Sequence, residues 1–103
     1  MRFLIITKSR IPLPPDMAPA LFDAMLTWID GNMKSGKMEQ SWGFAGVAAG
    51  GGILNVESLE ELDGIMTNMP FGPFSKTKVY GLIDATQALN AGKNAMARMM
   101  GKA

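Results

Sequence analysis

The sequence predicts a ferredoxin-like α+β domain, with elements in the order βαββαβ and an extra C-terminal helix. Two segments repeat apolar residues every three to four positions, as amphipathic helices do. Four other segments are short apolar or alternating runs, which are typical of strands. The 103 residues suffice for one domain and not for two. Two helices would cover one face of a four-stranded antiparallel sheet, leaving the other face to solvent or a partner.

The first part of this fold is a strand, a proline-rich loop and a helix. RFLIITKS, residues 2–9, is β-branched and lacks helical spacing, which predicts strand one. RIPLPPD follows, and its prolines favour extended backbone in the residues before them. We expect Asp16 to cap helix one and Gly36 to follow its end. Its apolar stripe comprises Met17, Leu21, Met25, Trp28 or Ile29, and Met33.

MEQSWGFAGV, residues 38–47, alternates and predicts strand two. Met38, Gln40, Trp42 and Phe44 would share one face, and Glu39, Ser41, Gly43, Ala45 and Val47 the other. ILNV, residues 53–56, is strand three, so the glycines at 50–52 fall in the hairpin between them. They either form a turn or bulge, or allow a ligand or neighbouring subunit to approach bare backbone. A phosphate loop is disfavoured because its glycines would precede a helix.

The second half repeats the pattern of helix and strand. Ser58 and Glu61 match a capping box at the start of helix two, which Pro70 ends. SKTKVYGLI, residues 75–83, predicts strand four. Residues 84–103 predict an alanine-rich helix weakened at Gly92. We divide the chain into a domain of residues 1–84 and an extension of residues 85–103, which either docks on a neighbouring subunit or frays.

Composition excludes several kinds of site. Without Cys or His, the chain has no disulfide, thiol nucleophile, Cys- or His-based metal centre or His-ligated haem. We expect no metal, and acid–base chemistry must use Asp, Glu, Lys or Tyr. A net charge of +1 leaves no electrostatic footprint for nucleic acid. The apolar run near the N-terminus is too short for a signal segment or membrane span, so we expect a cytoplasmic protein without a membrane partner.

Three segments resemble the muconolactone isomerase family. VESLEELDGIMTNMPFGPFSKTKVYGL, residues 56–82, resembles the end of its members, with a Val-x-Ser strand exit, a helix, a proline loop and a Gly-Leu strand end. SWGFAG, residues 41–46, and LPPDM, residues 13–17, are similar to two further family segments. The resemblance covers about residues 1–84. It implies a dimeric α/β barrel, hence a homodimer or larger homo-oligomer, and a cofactor-free enzyme that shifts a double bond in a small lactone by proton abstraction and return.

One segment carries the candidate catalytic chemistry and departs from the family. The family's Arg-His-Leu-Trp-Arg is EQSWG here, so Trp42 alone is retained as a predicted substrate-binding residue. Glu39 is the predicted base, because a carboxylate that faces an apolar cleft has a raised pKa. The alternative is that Glu39 is simply solvated and has no catalytic role. Lys8 and Arg10, where strand one ends, would hold a substrate anion or are solvated.

Strand four carries the remaining candidates. Lys78 and Tyr80 share one face, Tyr80 as the second predicted catalytic residue and Lys78 as a binding residue. Packing across an interface against Trp42 is the alternative. Gln40 would hydrogen-bond a developing enolate oxygen. Because alternation sends it to the face opposite Glu39, Gln40 would have to reach the site across a subunit boundary.

Three functions fit these observations. The first is acid–base isomerisation of a small cyclic or aromatic-derived acid or ketone. The second keeps the barrel but makes it a cofactor-free monooxygenase, which would need an apolar pocket with Trp and Tyr. The third is a non-catalytic ligand-binding or assembly protein. It is favoured because residues 39–43 lack the His and the two Arg residues of the corresponding family segment. A small molecule in the cleft between helices and sheet, near Glu39 or Lys8, would support an enzyme.

Overall fold

The predicted ferredoxin-like α+β fold is confirmed by a computed structural model, which describes residues 1–101. The elements are β1 (Arg2–Ser9), α1 (Ala18–Lys34), β2 (Met38–Gly43), β3 (Ala49–Asn55), α2 (Leu59–Thr67), β4 (Ser75–Leu82) and α3 (Ala85–Met99), with a short 3₁₀ turn, Gly72–Phe74, before β4. The four strands form one antiparallel sheet in the order β2-β3-β1-β4. No helix among these residues is long and apolar enough to cross a membrane.

The core lies between one face of the sheet and the helices α1 and α2. It is built from Phe3, Ile5, Met38, Leu54, Val56 and Leu62. Trp28 of α1 and Ile65 of α2 pack against this cluster, and the Trp28 Nε1–H donates to the Ile65 carbonyl at 3.1 Å. Both helices therefore cover the same face, and within residues 1–101 no helix covers the opposite face, which we call the helix-free face.

The ends of α1 agree only partly with the sequence. The expected Asp16 cap is wrong, because Met17 is the N-cap residue and no side chain caps the helix. The carbonyl of Pro14 instead accepts hydrogen bonds from the N–H groups of Met17 and Ala18, at 3.0 and 2.9 Å. The proline loop thus satisfies the N–H groups of the N-cap residue and the first helical residue, and Pro19 of the first turn has no N–H to satisfy. Beyond the last turn, Gly36 adopts φ +79°, as expected for a residue following a helix.

Only one of the two hydrogen bonds of the predicted capping box forms at the start of α2. Ser58 Oγ accepts a hydrogen bond from the Glu61 backbone N–H at 3.1 Å. The Glu61 carboxylate, however, pairs with Lys37 Nζ at 2.9 Å. An ion pair with the segment before β2 therefore takes the carboxylate that the capping box would have used.

Strand β2 is shorter than predicted and contains a β-bulge. Met38 pairs with Leu54, but Gln40 already pairs with Ile53, which leaves Glu39 as the extra residue. An extra residue interrupts alternation, so Met38 faces the helices while Gln40 lies on the helix-free face. The expectation that Met38 and Gln40 share a face is wrong for this reason.

The three consecutive glycines, Gly50, Gly51 and Gly52, belong to β3 and do not form the hairpin turn. They pair with β1 on one side and with β2 on the other. The turn lies earlier, in residues 44–48, where Gly46 adopts φ +78°. The expectation of a glycine turn or bulge is therefore wrong.

Helix α3 extends away from the rest of the protein. It continues through Gly92, where a weak point was expected, and buries no side chain. The protein measures 63 × 28 × 24 Å as a result. Leu89, Met96 and Met99 are 75%, 57% and 81% exposed and recur at helical spacing. The last two residues of the predicted extension, 102 and 103, lie outside the described part.

Candidate functional site

A cavity of about 810 Å³ lies between α1 and the sheet. This volume falls within the usual range of small-molecule sites. It is large for a chain of 103 residues. The sheet contributes the floor, α1 contributes one wall, and the loop between α2 and β4 contributes another.

The glycines of β3 create the floor of the cavity. Gly50 and Gly52 face the helices, because their register partners Thr7 and Ile5 do so. Neither has a side chain to occupy the space, so the cavity reaches the backbone of the strand. A Cβ added at Gly52 would lie 2.7 Å from the Gln40 carbonyl oxygen, so the pairing with β2 also favours glycine there.

The walls are apolar and rich in aromatic rings. Phe22, Met25 and Trp28 line the cavity from α1, and Phe71 and Phe74 line it from the loop before β4. The rings of Phe22 and Phe71 meet edge to face, with centroids 5.2 Å apart and planes at 86°. Such surfaces favour a flat apolar ligand.

The polar side chains of the cavity are hydroxyls, and all but Ser41 of β2 lie where β1 pairs with β4. Thr7, Ser9 and Ser75 line the cavity. Ser9 pairs with Ser75 in register, and Thr7 pairs with Thr77. The Thr7 and Thr77 Oγ1 atoms are 3.1 Å apart, a hydrogen-bond distance. We call Thr7, Ser9, Ser75 and Thr77 the hydroxyl cluster. Among residues 1–101, no Asp, Glu, Lys or Arg lines the cavity.

Glu39, the predicted base, lies outside this cavity. Its carboxylate accepts hydrogen bonds from Arg2 Nε at 2.7 Å and Arg2 Nη2 at 3.2 Å. Arg2 belongs to the helix-free face, because the next residue, Phe3, faces the core. The hydrogen bond and charge of Arg2 hold the pKa of Glu39 below its ordinary value, against the opposing effect of desolvation. The prediction of a raised pKa is wrong, because the Glu39 carboxylate is paired with the Arg2 guanidinium and does not face an apolar cleft.

Five other predicted site residues share the helix-free face by register. Even-numbered residues of β1, including Lys8, point away from the core, because Phe3 and Ile5 point into it. Lys78 and Tyr80 pair with residues 6 and 4 of β1 and therefore share that face. Gln40 and Trp42 pair with residues 53 and 51 of β3. The structure thus gathers these candidates on the same face as Glu39, across the sheet from the cavity floor. Trp42 also contributes to the cavity, where the edge strand β2 ends.

Arg10 lies near the cavity without lining it. Its backbone N–H donates to the Phe74 carbonyl at 2.9 Å, and its Nη2 lies 3.4 Å from the Pro73 carbonyl oxygen. Phe74 forms part of the cavity wall, so Arg10 is next to the rim. Of the predicted anion-binding pair, Arg10 is near the cavity and Lys8 is on the other face.

Sequence reasoning did not identify the hydroxyl cluster or the wall residue Phe22. A signal for the hydroxyls was present in β1, where Phe3, Ile5, Thr7 and Ser9 occupy successive positions of one face. Two core residues followed by two hydroxyls on the same face indicate a change from core to cavity.

Within residues 1–101, no three acidic side chains are grouped so that they could hold a metal ion.

Comparison with known proteins identifies the family. Residues 1–88 match the profile of the family described as muconolactone delta-isomerase. The chain belongs to the muconolactone isomerase family. The match covers the sheet, α1 and α2 and ends four residues into α3. The predicted family is thus confirmed, and most of α3 lies beyond the matched segment. No functionally curated protein matches the sequence.

Two solved structures share the fold. A muconolactone isomerase crystal structure at 3.3 Å resolution is 23% identical, with a TM-score of 0.75 over 82% of this chain and 90% of that one. The 5-chloro-2-hydroxyhydroquinone dehydrochlorinase of Burkholderia phenoliruptrix AC1100, in complex with 2,5-dihydroxybenzoquinone, is 20% identical. Its TM-score is 0.59 over 84% of this chain and 98% of that chain. At these identities the likeness shows the fold.

Proposed function

We propose that this protein is a small, cofactor-free enzyme of aromatic-compound catabolism, and that its substrate binds in the cavity between α1 and the sheet. The observation that carries the proposal is the cavity of about 810 Å³ with a bare floor and aromatic walls, in a chain of the muconolactone isomerase family. The dehydrochlorinase neighbour was solved with a six-membered ring compound, 2,5-dihydroxybenzoquinone. A ring of this size fits comfortably within the volume of the present cavity.

The reaction we propose is a proton shift on the ring, an isomerisation. The catalytic roles predicted for Glu39 and Tyr80 stay predictions, and both residues lie on the helix-free face. Because the cavity is on the opposite face, they can act only on a substrate bound at the helix-free face, in a site completed there by a second copy of the chain. Losing a general base lowers turnover by about 10²- to 10⁴-fold. Glu39→Gln with undiminished turnover would remove Glu39 from the mechanism, and Tyr80→Phe tests Tyr80 in the same way.

Solvent exchange tests the proposed reaction directly. An enzyme that removes and returns a ring proton incorporates deuterium from D₂O into its substrate, which mass spectrometry detects. We would screen small lactones, quinones and phenols in this way. Exchange above the rate without protein supports an isomerase. Ligand binding without exchange supports a non-catalytic binding protein, the second candidate, which is favoured because no charged side chain within residues 1–101 lines the cavity.

The location of the substrate is tested by a matched pair of variants. Ala45 and Ala48 are both exposed residues of the turn between β2 and β3, but only Ala48 lines the cavity. Ala48→Trp should obstruct the cavity and weaken binding at least tenfold, whereas Ala45→Trp should leave binding unchanged. Equal binding by both variants would place the ligand elsewhere.

We further propose that copies of the chain associate through the helix-free face. Trp42 and Tyr80 are 42% and 47% exposed there, beside the half-buried Leu4, Ile6 and Ile53. An aromatic patch of this kind is typical of an interface. Trp42→Asp should shift sedimentation toward the monomer. A monomeric parent protein at micromolar concentration would contradict this proposal.

We propose that α3 docks on a neighbouring subunit. It begins where β4 ends, beside Arg2, at the opposite end of the sheet from Ser75 and the hydroxyl cluster. Its exposed apolar stripe therefore lies far from its own cavity. Leu89→Asp should weaken association without lowering the stability of the domain, because α3 buries no side chain against it. A loss of domain stability would contradict this arrangement.

A further inference from the structure

We propose that the cavity selects uncharged ring compounds that carry an oxygen substituent, such as phenols, quinones or lactones, and that the hydroxyl cluster binds this oxygen. The inference rests on the proposed function, because it concerns the same cavity. It goes further by naming the substrate class and the residues that recognise it.

The first argument is the charge of the cavity. Its walls are apolar and aromatic, and no charged side chain among residues 1–101 lines them. A carboxylate moved from water into such a space loses hydration, and no cation among the lining residues offsets its charge. An uncharged ring loses little and gains contact with Phe22, Met25 and Trp28. The cavity therefore favours a neutral ligand over its carboxylated counterpart.

The second argument is the chemistry of the hydroxyl cluster. A hydroxyl donates one hydrogen bond and accepts others, so it can pair with either a carbonyl or a phenol. Thr7 and Thr77 share one hydrogen bond at 3.1 Å, and either atom can donate it. When Thr77 donates this bond, the Thr7 proton is directed to the Met69 sulfur at 3.9 Å, a weak acceptor that a ligand oxygen would replace. Ser9 and Ser75, one register step along the same face, add further groups of the same kind.

The third argument is where the cluster lies relative to the core. Along β1, Phe3 and Ile5 belong to the buried core, and Thr7 and Ser9 continue the same face beyond it. A ring placed against Ile5 and Trp28 would therefore have the hydroxyls at one end. Three of the lining hydroxyls lie at this end and one, that of Ser41, lies on β2, so the arrangement favours one direction for a ring that carries an oxygen on one side. Thr77 is not part of the cavity wall, so it acts by positioning the Thr7 hydroxyl.

Three ring compounds of similar size form the test: p-cresol, p-xylene and p-toluate. Trp28 and Trp42 both line the cavity, so intrinsic fluorescence reports binding. We expect p-cresol to bind about three- to tenfold more tightly than p-xylene, which is the range for one net hydrogen bond. We expect p-toluate to bind more weakly than both at neutral pH.

Variants of the cluster connect this preference to named atoms. Thr7→Val should reduce p-cresol affinity about three- to tenfold and leave p-xylene affinity unchanged. Thr27→Val, an exposed position on α1 outside the cavity wall, is the matched control and should change neither. If Thr7→Val does not fold, Ser75→Ala makes the same test at the neighbouring hydroxyl, with a smaller change in packing.

The outcomes separate this inference from the proposed function. Equal affinity for p-cresol and p-xylene, tightest binding of p-toluate, or an unchanged preference in both Thr7→Val and Ser75→Ala would overturn the substrate class while the cavity remained a binding site. The proposed function fails as well under two conditions together. None of the three compounds binds, and Ala48→Trp binds the lactones, quinones and phenols of the screen as tightly as the parent protein does.

Discussion

Replacing Gly51 by alanine should destabilise the protein more than any other single methyl group added to β3. A Cβ at this position would lie 2.5 Å from the Ile5 carbonyl oxygen, about 0.9 Å closer than ordinary contact. Ile5 belongs to β1, which is hydrogen-bonded to β3 on one side and to β4 on the other. The carbonyl therefore cannot retreat without disturbing two ladders.

The expected magnitude follows from this crowding. Adding a methylene to a well-packed region costs about 1–3 kcal/mol, and alanine recovers about 0.4–1 kcal/mol by restricting the unfolded chain. We expect a net loss of about 1–2 kcal/mol for Gly51→Ala. Gly52→Ala should lose less, because its 2.7 Å contact is with Gln40 of β2, an edge strand that is free to move outward.

Urea unfolding, followed by circular dichroism, measures these differences. Gly31→Ala is the control: it lies within α1, and an added Cβ there would have no neighbour within 4 Å. It should stabilise the protein by about 1 kcal/mol, the difference in helix propensity. In a domain of this size, each kcal/mol shifts Tm by about 4–8 °C. If Gly51→Ala were as stable as Gly31→Ala, the close approach of β1 would not be what requires glycine.

Three further predictions concern the ion pair and the core. Arg2→Gln should raise the pKa of Glu39 toward its ordinary value, as measured by NMR titration. The pair's contribution to stability is present above that ordinary pKa and is lost as pH falls through the lowered one; an unchanged pKa would show that Arg2 is not the cause. Trp28→Phe should cost about 1 kcal/mol in urea unfolding by leaving the Ile65 carbonyl without its donor, and no loss would contradict the importance of this bond. Leu54→Ala should cost about 2–5 kcal/mol in the same assay, because Leu54 is fully buried; a loss below 1 kcal/mol would mean that the site collapses around the smaller side chain.

Part of the candidate site could be anticipated from neighbouring residues, and part could not. Alternation along β4 correctly placed Lys78 and Tyr80 on one face, because that strand is regular throughout. The same reasoning failed at Glu39, since a bulge depends on how β2 pairs with β3 and not on either strand alone. The lowered pKa of this carboxyl group likewise depends on Arg2, which lies 37 positions earlier in the chain.

The sequence by itself determined the order of the elements, the bounds of β1 and the family, because these depend on short-range periodicity and local motifs. Only the tertiary structure decided that the glycines lie inside a strand and form a cavity floor. It also brought Thr7 to Thr77, 70 positions away. Strand pairing joins residues that are distant in the chain, and the space between a sheet and its helices depends on side chains from all of them.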